Sequence, residues 1–106
     1  MLETGCGRGG GLNYLAQLLR PRYAIGVDSS RGNIEFCKRH WPHGSHVHCD
    51  FIVADVENLT QSVPRMSIDY MIDIEGFFYY TDKRAYLHQA HDCLKEDGLL
   101  FLSFFI

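Results

Sequence analysis

Glycines and carboxylates follow the apolar runs of this chain, at the points where each run ends. Five glycines fall within residues 5–11, directly after a short apolar and acidic start. Asp28, Asp55 and Glu75 each follow a later apolar run. Glycine is costly to order, so this density indicates backbone that turns sharply or lies close to a ligand or a neighbouring helix. The pattern predicts a ligand loop accompanied by three carboxylates.

Asp28 lies 19 residues after Gly9, a spacing at which an acidic side chain can bind the hydroxyls of a ribose. A carboxylate suits this role because it accepts two hydrogen bonds at once. The alternative is a solvated acid at a strand end, or a cap for the next helix. The glycines alone do not separate two ligand classes. Gly5-x-Gly7-x-x-Gly10 fits a dinucleotide fingerprint, whereas Gly5-x-Gly7-x-Gly9 with Glu3 ahead fits a different one.

Apolar periodicity supplies the elements that must position these residues. Three helices are predicted, the first from about Gly10 or Gly11 to Leu19. The second begins at a Ser29 or Ser30 cap, has Trp41 on its apolar side and is closed by Pro42. The third follows a Thr81 or Asp82 cap. In the third helix, Tyr86, Ala90, Cys93 and Leu94 should face inward. Five apolar strands are predicted, at residues 1–3, 23–27, 51–54, 68–74 and 99–106. Residues 56–67 read as a loop with at most one helical turn, and Asp97-Gly98 as a turn before the last strand.

Strands alternate with helices, and the strands are apolar throughout rather than alternating. This pattern predicts an α/β fold, Rossmann-like, with three α/β/α layers and a mostly parallel sheet that stops after the fifth strand. Right-handed crossovers would bring the carboxyl ends of all strands to one edge, where open α/β sheets bind ligands.

The bulk properties narrow the function classes. The 106 residues indicate a single domain, with 46% hydrophobic residues, and the net charge of −3 argues against nucleic acid as a partner. We see neither a signal peptide nor an apolar run that could span a membrane. The four cysteines form no Cys-x-x-Cys pair and read as reduced thiols, which favours a cytoplasmic location. The short first strand and the apolar end at Ile106 suggest a partial domain.

Five motifs follow one another along the chain. They are Glu3-x-Gly5-x-Gly7-x-Gly9, Asp28, the run 54–59 (Ala-Asp-Val-Glu-Asn-Leu), Ile74-Glu75-Gly76, and residues 93–98 before a final apolar strand. Together they resemble the motifs of class I S-adenosylmethionine-dependent methyltransferases. Within that class the chain is similar to the branch of sterol and phthiotriol/phenolphthiocerol methyltransferases. By this resemblance, N-terminal helices and the last two strands of the family fold are absent.

The resemblance implies S-adenosylmethionine as cofactor and a small-molecule, lipid-like methyl acceptor. Backbone of Gly5 and Gly7, in the same loop as Gly9, would lie against the methionine part, with Glu3 supporting its ammonium group. Asp28 would hold the ribose, Asp55 the adenine amine, and the Val56 N–H the adenine ring. Glu75 would lie near the site of methyl transfer.

The chain also departs from that branch. Members carry a histidine soon after the acid that Glu75 matches, whereas Phe78 and Tyr79 stand here. Tyr79 or Tyr80 could take the place of this histidine, but the favoured interpretation of both is a role in the core. Two other functions stay open: a nicotinamide-dependent Rossmann oxidoreductase, and a non-catalytic partial methyltransferase. The stretch with Cys37, His40, His43, His46, His48 and Cys49 matches no familiar zinc spacing, so no metal is predicted.

Overall fold

A computed structural model describes residues 1–41 and 47–104. In these residues, five strands and three α-helices alternate. They are β1 (Leu2–Thr4), α1 (Gly10–Leu19), β2 (Tyr23–Asp28), α2 (Arg31–His40), β3 (His48–Val53), β4 (Ile68–Ile74), α3 (Lys83–Cys93) and β5 (Leu94–Ser103). Two 3₁₀ helices, Val56–Gln61 and Phe77–Tyr79, follow β3 and β4. The α/β prediction is confirmed.

The strands form one sheet in the order β3-β2-β1-β4-β5, and every pair is parallel. The chain runs outward from β1 to β3 and then crosses to the other side of β1 with β4. The reversal of strand order therefore falls between β1 and β4, which is where such sheets open a crevice at their carboxyl ends.

Apolar clusters cover the two faces of the sheet. One cluster packs beneath α1 and α2 and includes Leu12, Ala16, Ile34 and Cys37. The other packs beneath α3 and the first 3₁₀ helix and includes Leu59, Tyr86, Ala90 and Cys93. The layers are thus helix, sheet and helix, as expected for strands that are apolar on both sides.

Side-chain caps account for the starts of α2 and α3. The Ser30 side chain accepts a hydrogen bond from the Asn33 N–H, and the Asp82 side chain accepts one from the Ala85 N–H. Both satisfy amides that have no partner within the helix. Ser30 rather than Ser29, and Asp82 rather than Thr81, therefore cap these helices.

The predicted start of β3 and the predicted end of α2 were wrong. β3 begins at His48 rather than Phe51, because residues from His48 onward pair with the whole of β2, starting at Tyr23. α2 ends at His40, and Trp41 is its C-cap. Trp41 donates instead from its indole N–H to the Arg8 carbonyl, 2.8 Å away, so it ties the glycine loop to α2. Pro42 lies outside the described residues.

β5 differs most from its prediction. It starts at Leu94, directly after α3, and pairs there with Ile68. The register then shifts, and the next pair is Tyr70 with Leu99, so residues 95–98 form an irregularity within the strand rather than a turn before it. Leu94 is accordingly a strand residue and not part of the helix. The strand ends at Ser103, and residues 105–106 lie outside the described part of the chain.

Candidate functional site

The glycine loop leaves β1 and enters α1 through three residues with positive φ. Gly5, Gly7 and Gly9 have φ of +65°, +55° and +84°, a region that strains any residue with a Cβ. Their surroundings differ. A Cβ on Gly5 would lie 2.9 Å from the Tyr80 hydroxyl, and one on Gly9 would lie 2.9 Å from Cys37 Sγ. A Cβ on Gly7 would meet no described atom within 4 Å, so the space beside Gly7 is open.

Asp28 holds this loop from the end of β2. Its Oδ2 accepts a hydrogen bond from the Gly7 N–H at 2.9 Å, and its Oδ1 accepts one from the Ser30 N–H at 2.8 Å. The carboxylate therefore fixes both the glycine loop and the start of α2. A carboxylate has about four acceptor positions, so these two bonds leave capacity for a ligand.

Asp55 has a comparable role at the end of β3. Its Oδ1 accepts from the Glu57 N–H at 2.9 Å, and its Oδ2 accepts from the Asn58 side-chain amide at 3.0 Å. It thus caps the first 3₁₀ helix. Val56 is the first residue of that helix, and the first amides of a helix have no acceptor within it.

Glu75 and Tyr79 follow β4. Glu75 has φ of +64°, unusual for a residue with a Cβ, and its N–H donates to the Ser103 carbonyl at 2.7 Å. This bond attaches the segment to β5. The Tyr79 side chain is 78% exposed, and its ring meets that of Phe78 edge to face with centroids 5.4 Å apart.

Glu3 lies beneath the glycine loop rather than on a ligand-facing wall. Its side chain is 4% exposed, and its Oε1 has no hydrogen-bond partner among the described residues. Burial, and next the negative charge of Asp73, raise the pKa of Glu3 to about 7, opposed by a hydrogen bond from the Leu12 backbone. Among the described residues of the site, this buried carboxyl group is the one that keeps an oxygen without a hydrogen-bond partner.

Asp73 was missed in the sequence. It is fully buried near the end of β4 and accepts three hydrogen bonds: from the Thr4 hydroxyl at 2.8 Å, the Tyr80 hydroxyl at 2.6 Å and the Phe77 N–H at 2.7 Å. Burial, and next the bond to Asp73, raise the pKa of Tyr80 well above its usual range. An acid directly between two apolar residues, Ile72 and Ile74, within a mostly apolar strand was the available signal.

The strand ends enclose a cleft of about 380 Å³, within the usual size range of small-molecule sites. It brings together six of the nine predicted site residues, while Gly7 and Gly9 belong to the loop beside it and Glu3 lies below. The cleft-lining residues include four carboxylates and no Lys, Arg or His. They are Gly5, Asp28, Ser29, Asp55, Val56, Glu57, Ile74, Glu75, Gly76, Tyr79 and Tyr80.

No group of three potential ligands for a metal ion occurs in residues 1–41 and 47–104. His43 and His46, from the histidine-rich stretch, lie outside these ranges. His48 is a strand residue whose ring stacks on that of Tyr23. Within the same ranges, no helix has the length and apolar character needed to cross a membrane.

Comparison with known proteins shows the family to which this chain belongs. The family model for "Methyltransferase domain" matches residues 1–98. The chain belongs to this methyltransferase domain family. The resemblance drawn from the motifs is therefore confirmed at the level of family and fold, and nothing supports the oxidoreductase alternative.

Curated relatives of this methyltransferase domain carry lipid-related names. It is 33% identical over 99 residues to the phthiotriol/phenolphthiotriol dimycocerosates methyltransferase of Mycobacterium tuberculosis, covering 92% of this chain and 34% of that protein. It is 30% identical over 98 residues to the fatty-acid O-methyltransferase of Mycolicibacterium smegmatis, with the same two coverages. The chain thus spans about a third of the length of these relatives.

Solved structures agree on the fold of the methyltransferase domain. The geranyl diphosphate C-methyltransferase of Streptomyces coelicolor, solved with S-adenosyl-L-homocysteine, superposes with a TM-score of 0.82 at 20% identity, covering 93% of this chain and 36% of that one. An S-adenosylmethionine-dependent methyltransferase from Mesorhizobium loti gives 0.78 at 22% identity, covering 94% and 44%. At these identities the likeness establishes the fold alone.

Proposed function

We propose that this domain binds S-adenosylmethionine in the cleft and transfers its methyl group to a small, lipid-like acceptor. The observation that carries the proposal is the composition of the cleft: four carboxylates and no cationic side chain among its lining residues, at the reversal of strand order. Such a cleft favours a ligand with positive charge, and this cofactor carries a sulfonium and an ammonium group. It disfavours a dinucleotide, whose pyrophosphate needs positive or neutral donors.

The described residues fit this cofactor. The open space beside Gly7 admits a ligand close to the backbone. Asp28 would accept hydrogen bonds from the ribose hydroxyls with its remaining lone pairs. Asp55 would accept from the adenine amine, and the Val56 N–H would donate to the adenine ring. Glu3, beneath the loop, would add negative charge for the ammonium group.

When bound, S-adenosylmethionine supplies an activated methyl group, so the protein has to orient the acceptor and manage its proton. Glu75 is the candidate base, since its carboxylate borders the cleft and can accept the proton that a hydroxyl acceptor loses. Tyr79 is the second candidate and would orient that hydroxyl.

An apolar acceptor suits the surface beside Glu75. Ile74 lines the cleft, Phe78 contacts the ring of Tyr79, and Phe104 contacts the ring of Phe77. The three apolar residues are each about half exposed, at 48%, 55% and 50%. The named relatives act on fatty acids or on phthiotriol and phenolphthiotriol dimycocerosates, which supports a lipid-like acceptor for this chain. The cytoplasmic location stays a prediction from cysteine usage.

The test compares ligands and variants by isothermal titration calorimetry. We expect the chain to bind S-adenosylhomocysteine and not NADH, and Asp28→Ala to abolish measurable binding of S-adenosylhomocysteine. Asp69→Ala is the matched control. This exposed acid lies at the far end of β4, where its pairing with Lys95 contributes little to stability. Preference for NADH would refute the proposal, and normal affinity in Asp28→Ala would refute the ribose assignment.

A further inference from the structure

Two loops meet at the Tyr80 hydroxyl. A Cβ on Gly5, in the loop after β1, would lie 2.9 Å from this oxygen, and a Cβ on Gly76, after β4, would lie 2.8 Å from it. Both contacts are closer than side chains tolerate, so only glycine at these two positions admits the hydroxyl. Tyr80 also lines the cleft. Its hydroxyl therefore occupies the junction between the glycine loop and the segment that carries Glu75 and Tyr79.

The same hydroxyl is bonded to a buried acceptor. Tyr80 donates to Asp73 Oδ2 at 2.6 Å, and Thr4, at the end of β1, donates to the same oxygen at 2.8 Å. Asp73 Oδ1 accepts from the Phe77 N–H at 2.7 Å. One fully buried carboxylate thus joins β1, β4 and the second 3₁₀ helix.

The proton arrangement gives Tyr80 and Tyr86 different roles. The Thr4 hydroxyl has one proton, which it donates to Asp73, so the 2.8 Å bond between Thr4 and Tyr86 must be donated by Tyr86. Tyr86 is fully buried, supports Thr4 through this bond, and is not among the residues that line the cleft. Tyr80, in contrast, bonds Asp73 directly and reaches the cleft.

We propose that Asp73 and Tyr80 are positioning residues that hold the segment after β4 against the glycine loop and so set the shape of the cleft. The inference rests on the proposed function only in naming the ligand that the cleft takes. Hydrogen bonds to charged groups are worth more than neutral ones, so loss of the Tyr80 hydroxyl releases the segment locally. Loss of the Tyr86 hydroxyl leaves the three bonds that Asp73 accepts from Thr4, Phe77 and Tyr80 in place.

Amide hydrogen exchange tests the positioning role without any ligand. We expect Tyr80→Phe to speed exchange of the Phe77 amide by about tenfold, with the amides in the middle of β1, β4 and α3 unchanged. Tyr86→Phe is the matched control, since it removes one hydroxyl from the same network and should leave Phe77 exchange within about twofold. Equal Phe77 exchange in the two variants would overturn the proposal.

Calorimetry with S-adenosylhomocysteine then links the positioning to binding. We expect about tenfold weaker affinity in Tyr80→Phe than in Tyr86→Phe, because the binding-competent segment is less populated. Equal affinities would mean that loss of the Tyr80 hydroxyl loosens the segment without changing the cleft, and would overturn the proposed role of Tyr80 in shaping the cleft. Absence of binding by the unmodified chain would contradict the proposed function instead, and the exchange result would still decide the positioning role.

Discussion

Replacement of Glu3 by Gln should remove a large pH dependence of stability. Glu3 is buried, one of its oxygens is unpaired, and its pKa rises from 4.5 to about 7 in the folded protein. Below pH 4.5 both folded and unfolded chains hold the proton. Between pH 4.5 and 7 the folded chain alone holds it, so the free energy of unfolding falls as the pH rises.

The magnitude follows from that interval. At 1.36 kcal/mol for each pH unit, the ionised Glu3 destabilises the fold by about 3 kcal/mol above pH 7 relative to pH 4.5. Glutamine has nearly the same shape as glutamate but does not ionise. We therefore expect the free energy of unfolding of the variant to exceed that of the natural chain by an amount that grows from pH 5. The difference should reach about 3 kcal/mol at pH 8.

Urea titrations at pH 5, 6, 7 and 8 on both chains measure this difference, and all other titrating groups cancel in the comparison. Glu96→Gln, at an exposed carboxylate of β5, controls for the loss of one charge from the chain. A difference between the natural chain and Glu3→Gln that stays constant across this range would refute the reasoning. A difference that shrinks with rising pH would contradict its sign.

Three further substitutions test the residues that support the cleft. Gly9→Ala should cost more than about 2 kcal/mol by urea unfolding, because it combines a positive φ with a 2.9 Å approach to Cys37 Sγ. Gly7→Ala, beside open space, should cost only about 1 kcal/mol but should abolish binding of S-adenosylhomocysteine in calorimetry. A larger loss of stability in Gly7→Ala than in Gly9→Ala would contradict the geometry. Asp55→Ala should cost about 1 kcal/mol through loss of the helix cap and should weaken binding of S-adenosylhomocysteine. Glu57→Ala is the control for stability, since the Glu57 side chain does not supply this cap, and it should leave the unfolding midpoint unchanged.

Local features of this domain were readable from the sequence because they depend on neighbouring residues. The starts of α2 and α3 follow from Ser30 and Asp82, each of which caps an amide three residues later. β4 has the predicted bounds because its sequence is apolar apart from two acids. The start of β5 was not readable, since it depends on pairing between Leu94 and Ile68, far apart in the chain.

The site divides in the same way. The sequence by itself determined that glycines and carboxylates stand at strand ends, and parallel pairing then brings Asp28, Asp55 and Glu75 to one cleft. Only the tertiary structure decided what fills the space beside each glycine, and that Asp73 joins Thr4 to Tyr80. Thr4 and Asp73 are 69 positions apart, so no local pattern records their bond. Burial likewise belongs to the packed molecule, and the raised pKa of Glu3 arises only when the chain above and below the sheet excludes water from it.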